Sequence, residues 1–384
     1  DKERGPDGSF GPEWGEVIEL EESNWYFRLA KHRDWLVGLL ETREMVFPAF
    51  RQQELLNAAR KLSGDLSVSR PVERLSWGIS LPFDPAFVTY VWFDALINYI
   101  SFAGYLSRPT DDLPDFATLW PADAHVIGKD ILIPAHGIYW LIMLHALGFA
   151  DEDMPRFLVH GFWGMGGARM SKSTGNIIDP QMLAEQYSPE ALRYYLMRDI
   201  ATGQDADFNL ERLITRYNAD LANDIGNLVN RALSMTHRYR QGKVPEILTP
   251  ELTAEIERAA RELPRQVAAQ MREYQVHAAL EEISRFATLC NGFVERTAPW
   301  KLAKEEATAA RLDSVLRVLL EAVRLIAILI APVLPTSAER ILVQLRLDSK
   351  RELRFDRAEY GLLPTGHIIG QPSPVFPRID PPAA

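Results

Sequence analysis

Through the second half of the chain apolar residues recur every three to four positions. Tyr217, Leu221, Ile225, Leu228, Ala232 and Met235 form one stripe; Ala279, Ile283, Phe286, Cys290 and Phe293 form another; residues 312–329 supply a third. That spacing places side chains on one face of an α-helix. From Asn209 to about Leu347 it predicts a helix bundle. The first half reads differently. Short apolar or alternating runs at 65–70, 88–93, 124–127 and 157–163 read as strands, and the run at 88–93 passes into a helix. An earlier helix has Leu29, Trp35, Leu36, Leu39 and Leu40 on its apolar side, and Trp92, Ala95 or Leu96, and Tyr99 share one helix face.

At 384 residues there is room for two or three domains and a sizeable core. A hydrophobic share of 47% and a charged share of 24% are those of a soluble globular protein. The formal net charge of −10 argues against a uniformly basic nucleic-acid coat and leaves a local basic face open. One cysteine, Cys290, excludes an internal disulfide and a cysteine metal knuckle. A reducing cytoplasm fits that count. The apolar run at 325–334 is far shorter than the roughly 18 residues of a membrane span. It reads as the end of a buried helix, and no membrane partner is expected. Residues 1–20 read as a linker, and the proline-rich stretch 364–384 as an extended surface tail.

The candidate chemistry lies at 163–180. Four glycines and two serines flank Lys172, after the strand-like run at 157–162. Glycine tolerates positive φ and close backbone approach to a ligand. A lysine on such a loop is a compact cation with three donors, suited to phosphate oxygens that gain charge as a bond breaks. Asp179-Pro180 then reads as an N-cap and first helical position, and Ser188-Pro189 as another.

Arg169-Met170-Ser171-Lys172-Ser173 resembles the KMSKS signature of the class I aminoacyl-tRNA synthetases, with arginine for the first lysine. The surrounding run, from His160-Gly161 to Asn176 and Asp179-Pro180, is similar to the methionyl enzymes in particular. The resemblance implies an α/β Rossmann-like catalytic domain, its carboxyl-terminal half present, followed by an all-α anticodon-binding helix bundle. It divides the chain into the end of a connective peptide with return helices (1–64), the second half of the catalytic fold (65–163), signature loop and linker helices (164–209), anticodon-binding bundle (210–347) and tail (348–384).

Site residues follow by the same resemblance. Lys172, Arg169, Ser171 and Ser173 are the expected catalytic residues. Gly128, Asp130, Trp163, Met170 and Lys172 are expected on ATP, with Gly128 and Asp130 at the ribose. Trp92, Ala95, Leu96, Tyr99, Ile131, His136 and Arg70 are expected around methionine. Asn227, Arg231 and Trp300 are expected on the CAU anticodon, two as hydrogen-bond donors and one as a stacking platform. His136 lies six residues after Asp130, where the family usually has five. If the helix carried the extra residue its face would turn by about 100°; a loop around Pro134 would absorb it.

The partners so implied are L-methionine, ATP with Mg2+ and methionine tRNA, with no zinc site in this chain. A HIGH-type sequence is not among these residues. The expectation is therefore a fragment beginning inside the connective insertion, with a separate amino-terminal half as a candidate partner. Two other readings stand beside it. One is a non-catalytic tRNA-binding paralogue or subunit, and the other a class I synthetase for another hydrophobic amino acid.

Overall fold

A computed structural model describes residues 21–107, 114–170 and 177–380, except the side chains of Ala168 and Arg169. Lys172, Ser171 and Ser173 lie outside the described residues. The chain divides into two compact units, Asp1–Leu158 and Val159–Ala384.

The first unit is α/β. One sheet has the order Val46–Phe47, Phe157–His160, His125–Gly128, and its first pair is parallel. A second, antiparallel sheet joins Ser69–Pro71 and Ser80–Leu81 to the longer Asp84–Thr89. The apolar side read for the early helix is confirmed: Leu29, Leu36, Leu39 and Leu40 are buried, and helix Arg33–Thr42 packs on helix Ala49–Arg60. Gln52 joins the second helix to the strand before it. Its Oε1 accepts from the amides of Met45 (2.8 Å) and Val46 (2.9 Å), and its Nε2 donates to the carbonyls of Leu40 (2.8 Å) and Arg43 (2.7 Å). All the bonding capacity of that half-buried amide is thus used on backbone groups. The strand at 125–128 is buried on one face only: His125 and Ile127 point inward, whereas Val126 is 67% exposed.

The second unit is mainly helical. Leu210–Arg216, Tyr217–Gly226 and Asn227–Arg240 follow one another without a break, and Pro250–Arg272, Val276–Thr297, Ala309–Ile330 and Pro335–Gln344 complete the bundle. Ala309–Ile330 is buried on every side from Ser314 onward, which marks it as the central helix. Asp179 and Ser188 cap their helices as the sequence predicts. Their side chains accept from the amides of Gln181 and Ala191.

Two expectations need correction, and a third is refined. The strand read at 157–163 is two strands, Phe157–His160 and Trp163–Met165. Between them the backbone runs close to residue 204, where only glycine fits: a Cβ on Gly161 would overlap the carbonyl oxygen of Gln204. The stretch from 163 is not loop throughout, because Trp163–Met165 and Ala168–Arg169 form a β-hairpin. The tail at 364–380 is irregular and largely exposed, as expected, but it is anchored by three side chains. Ile369, Val375 and Phe376 are core residues. Arg340 donates to the carbonyls of Pro374 (2.6 Å) and Val375 (3.0 Å), and Asn218 exchanges two hydrogen bonds with the backbone of Ile379. Prolines offer no amide to a ladder, so the tail is held instead by scattered bonds to its carbonyls and from the amides of Gly366, Ile369, Gly370, Ser373 and Ile379, and by its apolar side chains.

Candidate active site and nucleic-acid interface

In the first unit, helix Val91–Ser101 and the segment Leu132–Trp140 bring Tyr99 and His136 together. The Tyr99 hydroxyl lies 2.9 Å from Nε2 of His136, whose Nδ1 is 2.9 Å from the Ile131 carbonyl. A carbonyl only accepts, so Nδ1 carries the proton, Nε2 accepts, and Tyr99 donates. Between Asp130 and His136 the helix is broken. Ile133 is extended (φ −119°, ψ 120°), and helical backbone resumes after it. His136 therefore keeps its contact with Tyr99 rather than rotating away from it. Gly137 permits close packing, since a Cβ there would sit 2.5 to 2.6 Å from the methyl carbons of buried Leu55.

Aromatic rings surround this pair. His125 stacks on Tyr99 at 4.2 Å and 17°, and its Nε2 accepts from Nε1 of Trp140 at 3.1 Å. Trp120 and Phe157 meet the His125 ring from other sides, at 6.2 and 5.8 Å. Leu96 is 1% exposed, and Trp92 and Ala95 are half-buried on the same helix. Burial, reinforced by the neighbouring His136, pushes the His125 imidazole down to about 4; burial also lowers His136 and raises Tyr99. At neutral pH the cluster is uncharged and offers aromatic walls with a few fixed polar atoms.

The folded value for His125 lies below its ordinary 6.5, so the unfolded chain takes up the proton first as pH falls. Stability that is present above about pH 6.5 is lost on the way to pH 4, with an upper size on the order of 3 kcal/mol. His125→Gln keeps an acceptor for Trp140 and removes the titration. Urea unfolding followed across that range is expected to show a flatter pH dependence for the variant; an unchanged slope would rule out His125 as its source.

The other residues expected around the substrates are dispersed within this unit. Ile131 meets His136 through its carbonyl, Gly128 ends its strand, and Asp130 is exposed beyond it. Arg70 is not directed at Tyr99 by any described bond. Its guanidinium lies 4.3 Å from the Tyr90 ring centroid and donates to Ser67 Oγ (3.0 Å) and the Ser69 carbonyl (2.6 Å). His125, Trp120 and Trp140 were not singled out from the sequence; the inward alternation of His125 with Ile127 was the available signal.

In the second unit the foot of the signature segment is built from strand Ala206–Asp207, parallel to Trp163–Met165. Gly166 and Gly167 both have positive φ, 62° and 78°, the geometry of a two-residue hairpin turn. Asp207 Oδ2 accepts from the Gly167 amide at 2.6 Å, and Asp205 Oδ1 from the Phe162 amide at 2.8 Å. Trp163 packs on Tyr195 and Phe208, with centroids 5.4 and 6.4 Å away. Arg169 pairs through its backbone with Gly164, and Met170 is half-buried. Asp205 and Asp207, which fix this hairpin, also escaped the sequence reading.

At the helical end, Asn227 and Arg231 lie one turn apart on Asn227–Arg240, with Asn227 exposed. Arg231 Nη2 bonds Glu295 Oε1 at 2.7 Å, and its guanidinium lies 5.8 Å from the ring centroid of Trp300. Helix Val276–Thr297 ends at Ala298 in the left-handed region (φ 45°). Pro299 then opens a four-residue helix that holds Trp300, 38% exposed, beside Arg231. The three residues expected on the anticodon are thus on neighbouring elements of one unit.

Comparison with known proteins joins these observations. The family model described as tRNA synthetases class I (M) matches residues 14–233, and that of the anticodon binding domain of methionyl tRNA ligase matches 244–382. The chain belongs to the methionyl class I tRNA synthetases. Its architecture is that of the class I catalytic domain followed by a helical anticodon-binding domain. Among curated members, the methionine–tRNA ligase of Fusobacterium nucleatum is 38% identical over 95% of this chain and 57% of its own length. That of Caldanaerobacter subterraneus is 37% identical over 96% and 57%. The chain therefore spans little more than half the length of these methionyl enzymes. The solved Mycobacterium tuberculosis methionyl-tRNA synthetase in complex with methionyl-adenylate superposes with a TM-score of 0.86 at 36% identity, covering 94% of this chain and 69% of that one. Its free form gives 0.85 at 35% identity, over 94% and 70%.

Proposed function

We propose that this chain supplies the methionine-binding wall, signature lysine and anticodon reader of a cytoplasmic methionine–tRNA ligase. The observation that carries the reading is the contact between Tyr99 and His136, enclosed by uncharged aromatic groups. A thioether suits such a site, because sulfur is favourable at ring edges and bonds hydrogen weakly. Leu96, Trp92, Ala95 and Ile131 would shape the cavity, and Arg70 would steady the polar end. A methylene of difference is worth only about 1 to 3 kcal/mol, so discrimination against leucine or isoleucine rests on shape and these contacts.

In the proposed reaction the methionine carboxylate attacks the α-phosphate of ATP. An oxygen–phosphorus bond forms, the bond to pyrophosphate breaks, and methionyl-adenylate results. The terminal ribose hydroxyl of the tRNA then takes the methionyl group and AMP leaves. No protein nucleophile is needed, and catalysis consists of positioning and charge stabilisation. Gly128 and Asp130 would hold the ribose, and Trp163 and Met170 the adenine side. Lys172, helped by Arg169, Ser171 and Ser173, would stabilise the developing phosphate charge. Magnesium arrives with ATP. Among the described residues no group of three or more His, Cys, Asp or Glu could hold a metal ion, and no described helix is long and apolar enough to cross a membrane.

Asn227 and Arg231 would donate to unstacked anticodon bases, with Trp300 as the stacking surface. Trp300→Ala is expected to weaken binding of a CAU-bearing anticodon stem–loop by roughly tenfold to a hundredfold, the measured range for one base–aromatic stack. Its thermal unfolding should stay as it is, since the ring is only partly covered. Equal affinity in fluorescence anisotropy would remove Trp300 from the interface.

The experiment for the amino-acid site is ATP–pyrophosphate exchange with methionine, leucine, isoleucine and valine, using a hybrid in which the amino-terminal part of a relative precedes this chain. Exchange driven by methionine alone supports the reading. A preference for another amino acid overturns it.

A further inference from the structure

We infer that the RNA-binding surface runs beyond Arg231 along the same helix, and that Arg238 is its distal phosphate contact, for a single-stranded segment flanking the bases read near Trp300. This rests on the proposed anticodon-reading role of the bundle and extends it to the backbone of the RNA.

Helix Asn227–Arg240 holds three arginines and no acidic residue, in a chain whose net charge is −10. Its inner face is formed by Leu228, Val229, Ala232, Leu233 and Thr236, all buried. Asn227, Asn230, Arg231, Ser234 and Arg238 recur on the outer side at spacings of three and four, which aligns them in one strip. Asn227, Asn230 and Arg238 are exposed; Arg231 and Ser234 are partly covered.

The arginines of this helix have different surroundings. Arg240 turns inward to Asp313 and the Ala309 carbonyl, so it is used by the fold. Arg231 is paired with Glu295 at 2.7 Å. Arg238 has neither an ion pair nor a hydrogen bond to another described side chain; its guanidinium lies 5.6 Å from the adjoining Tyr239 ring centroid. That leaves its donor fork open to an anion, and a guanidinium fork matches phosphate oxygens in geometry and charge.

Spacing decides what kind of anion. Arg231 and Arg238 are seven residues apart, about 10 Å along a helix axis. Stacked nucleotides advance roughly 3.4 Å each along a strand, so the two arginines are about three nucleotides apart. A strand whose bases meet Asn227, Arg231 and Trp300 would therefore bring a backbone phosphate to Arg238 as it leaves. Phosphate contacts fix register without reading sequence. Arg238 should accordingly add affinity equally for all anticodons, and Arg231 and Trp300 should discriminate among them.

The test is the salt dependence of binding. Dissociation constants of the whole chain for a CAU anticodon stem–loop, and for one with an altered anticodon, are measured by anisotropy over a range of potassium chloride, for the wild type and for Arg238→Gln. One lost phosphate contact on a single strand should reduce the slope of log affinity against log salt by about 0.7. Both RNAs should weaken by the same factor, on the order of tenfold at low salt. An unchanged slope, or weakening confined to the CAU stem–loop, overturns the proposal. Absence of RNA binding in the wild type would instead overturn the anticodon-reading role on which it rests. Arg238→Lys keeps a point charge and should recover most of the slope, which a purely structural role for Arg238 would not predict.

Discussion

Arg324→Met is expected to destabilise the helical unit by about 3 to 5 kcal/mol, the range seen when one partner of a buried ion pair is removed. Arg324 is 0% exposed and sits on the central helix. Its Nε donates to Glu321 at 3.0 Å, and Nη1 donates to Glu352 at 3.2 Å and to the Arg357 carbonyl at 2.9 Å. Nη2 donates to the Glu359 carbonyl. Glu321, itself 0% exposed, also accepts from the Leu363 amide at 2.6 Å. Methionine fills much of the same space but offers no donor. The buried Glu321 and Glu352 carboxylates and the part-buried Arg357 and Glu359 carbonyls would each lose a partner.

The network has a positional consequence, because it ties the irregular segment around 352–363 to the central helix. Urea unfolding by circular dichroism should show a lower midpoint for Arg324→Met. Pairing it with Glu321→Gln should recover part of the loss, since the buried carboxylate, left with only Arg317 at 3.4 Å as its cation, is then neutral. A loss below about 1 kcal/mol for the single variant would show that these groups contribute little to stability.

Lys172→Ala is expected to lower methionine-dependent exchange by about a hundredfold to a thousandfold, the effect of removing one donor to developing transition-state charge. The leaving pyrophosphate gains negative charge only as the bond breaks, so a cation placed there favours the transition state over the ground state. The readout is exchange by the hybrid enzyme, with methionine and ATP titrated separately and stem–loop binding measured in parallel. Binding of the RNA should be unaffected. Lys172→Arg should recover only part of the activity, because a planar fork does not place its charge where a compact ammonium does. Equal loss of exchange and RNA binding would mean that Lys172 supports the fold instead.

Much of this architecture was legible in the sequence. The bundle followed from apolar stripes, which are long and repeat a single period, and both proline-led helix starts carried their caps beside them. The meeting of Tyr99 and His136 was legible only through family resemblance. Periodicity alone makes Tyr99 a core residue, and whether His136 would reach it depended on the backbone of Ile133. The hairpin at 163–169 was concealed because its turn residues, Gly166 and Gly167, also suit an irregular loop. Its supports, Asp205 and Asp207, lie some forty residues downstream, and no local pattern connects them. The tail is extended and largely exposed as read; what its prolines concealed is that Ile369, Val375 and Phe376 reach the core and that Arg340 and Asn218 bond its backbone.

The most direct measurement is the charging of methionine tRNA with labelled methionine, by this chain alone and with a polypeptide bearing the amino-terminal half of a related enzyme. Charging upon complementation is expected, restricted to methionine and to tRNA with a CAU anticodon. Specific binding of that tRNA without charging in either mixture would contradict it and identify a non-catalytic tRNA-binding protein.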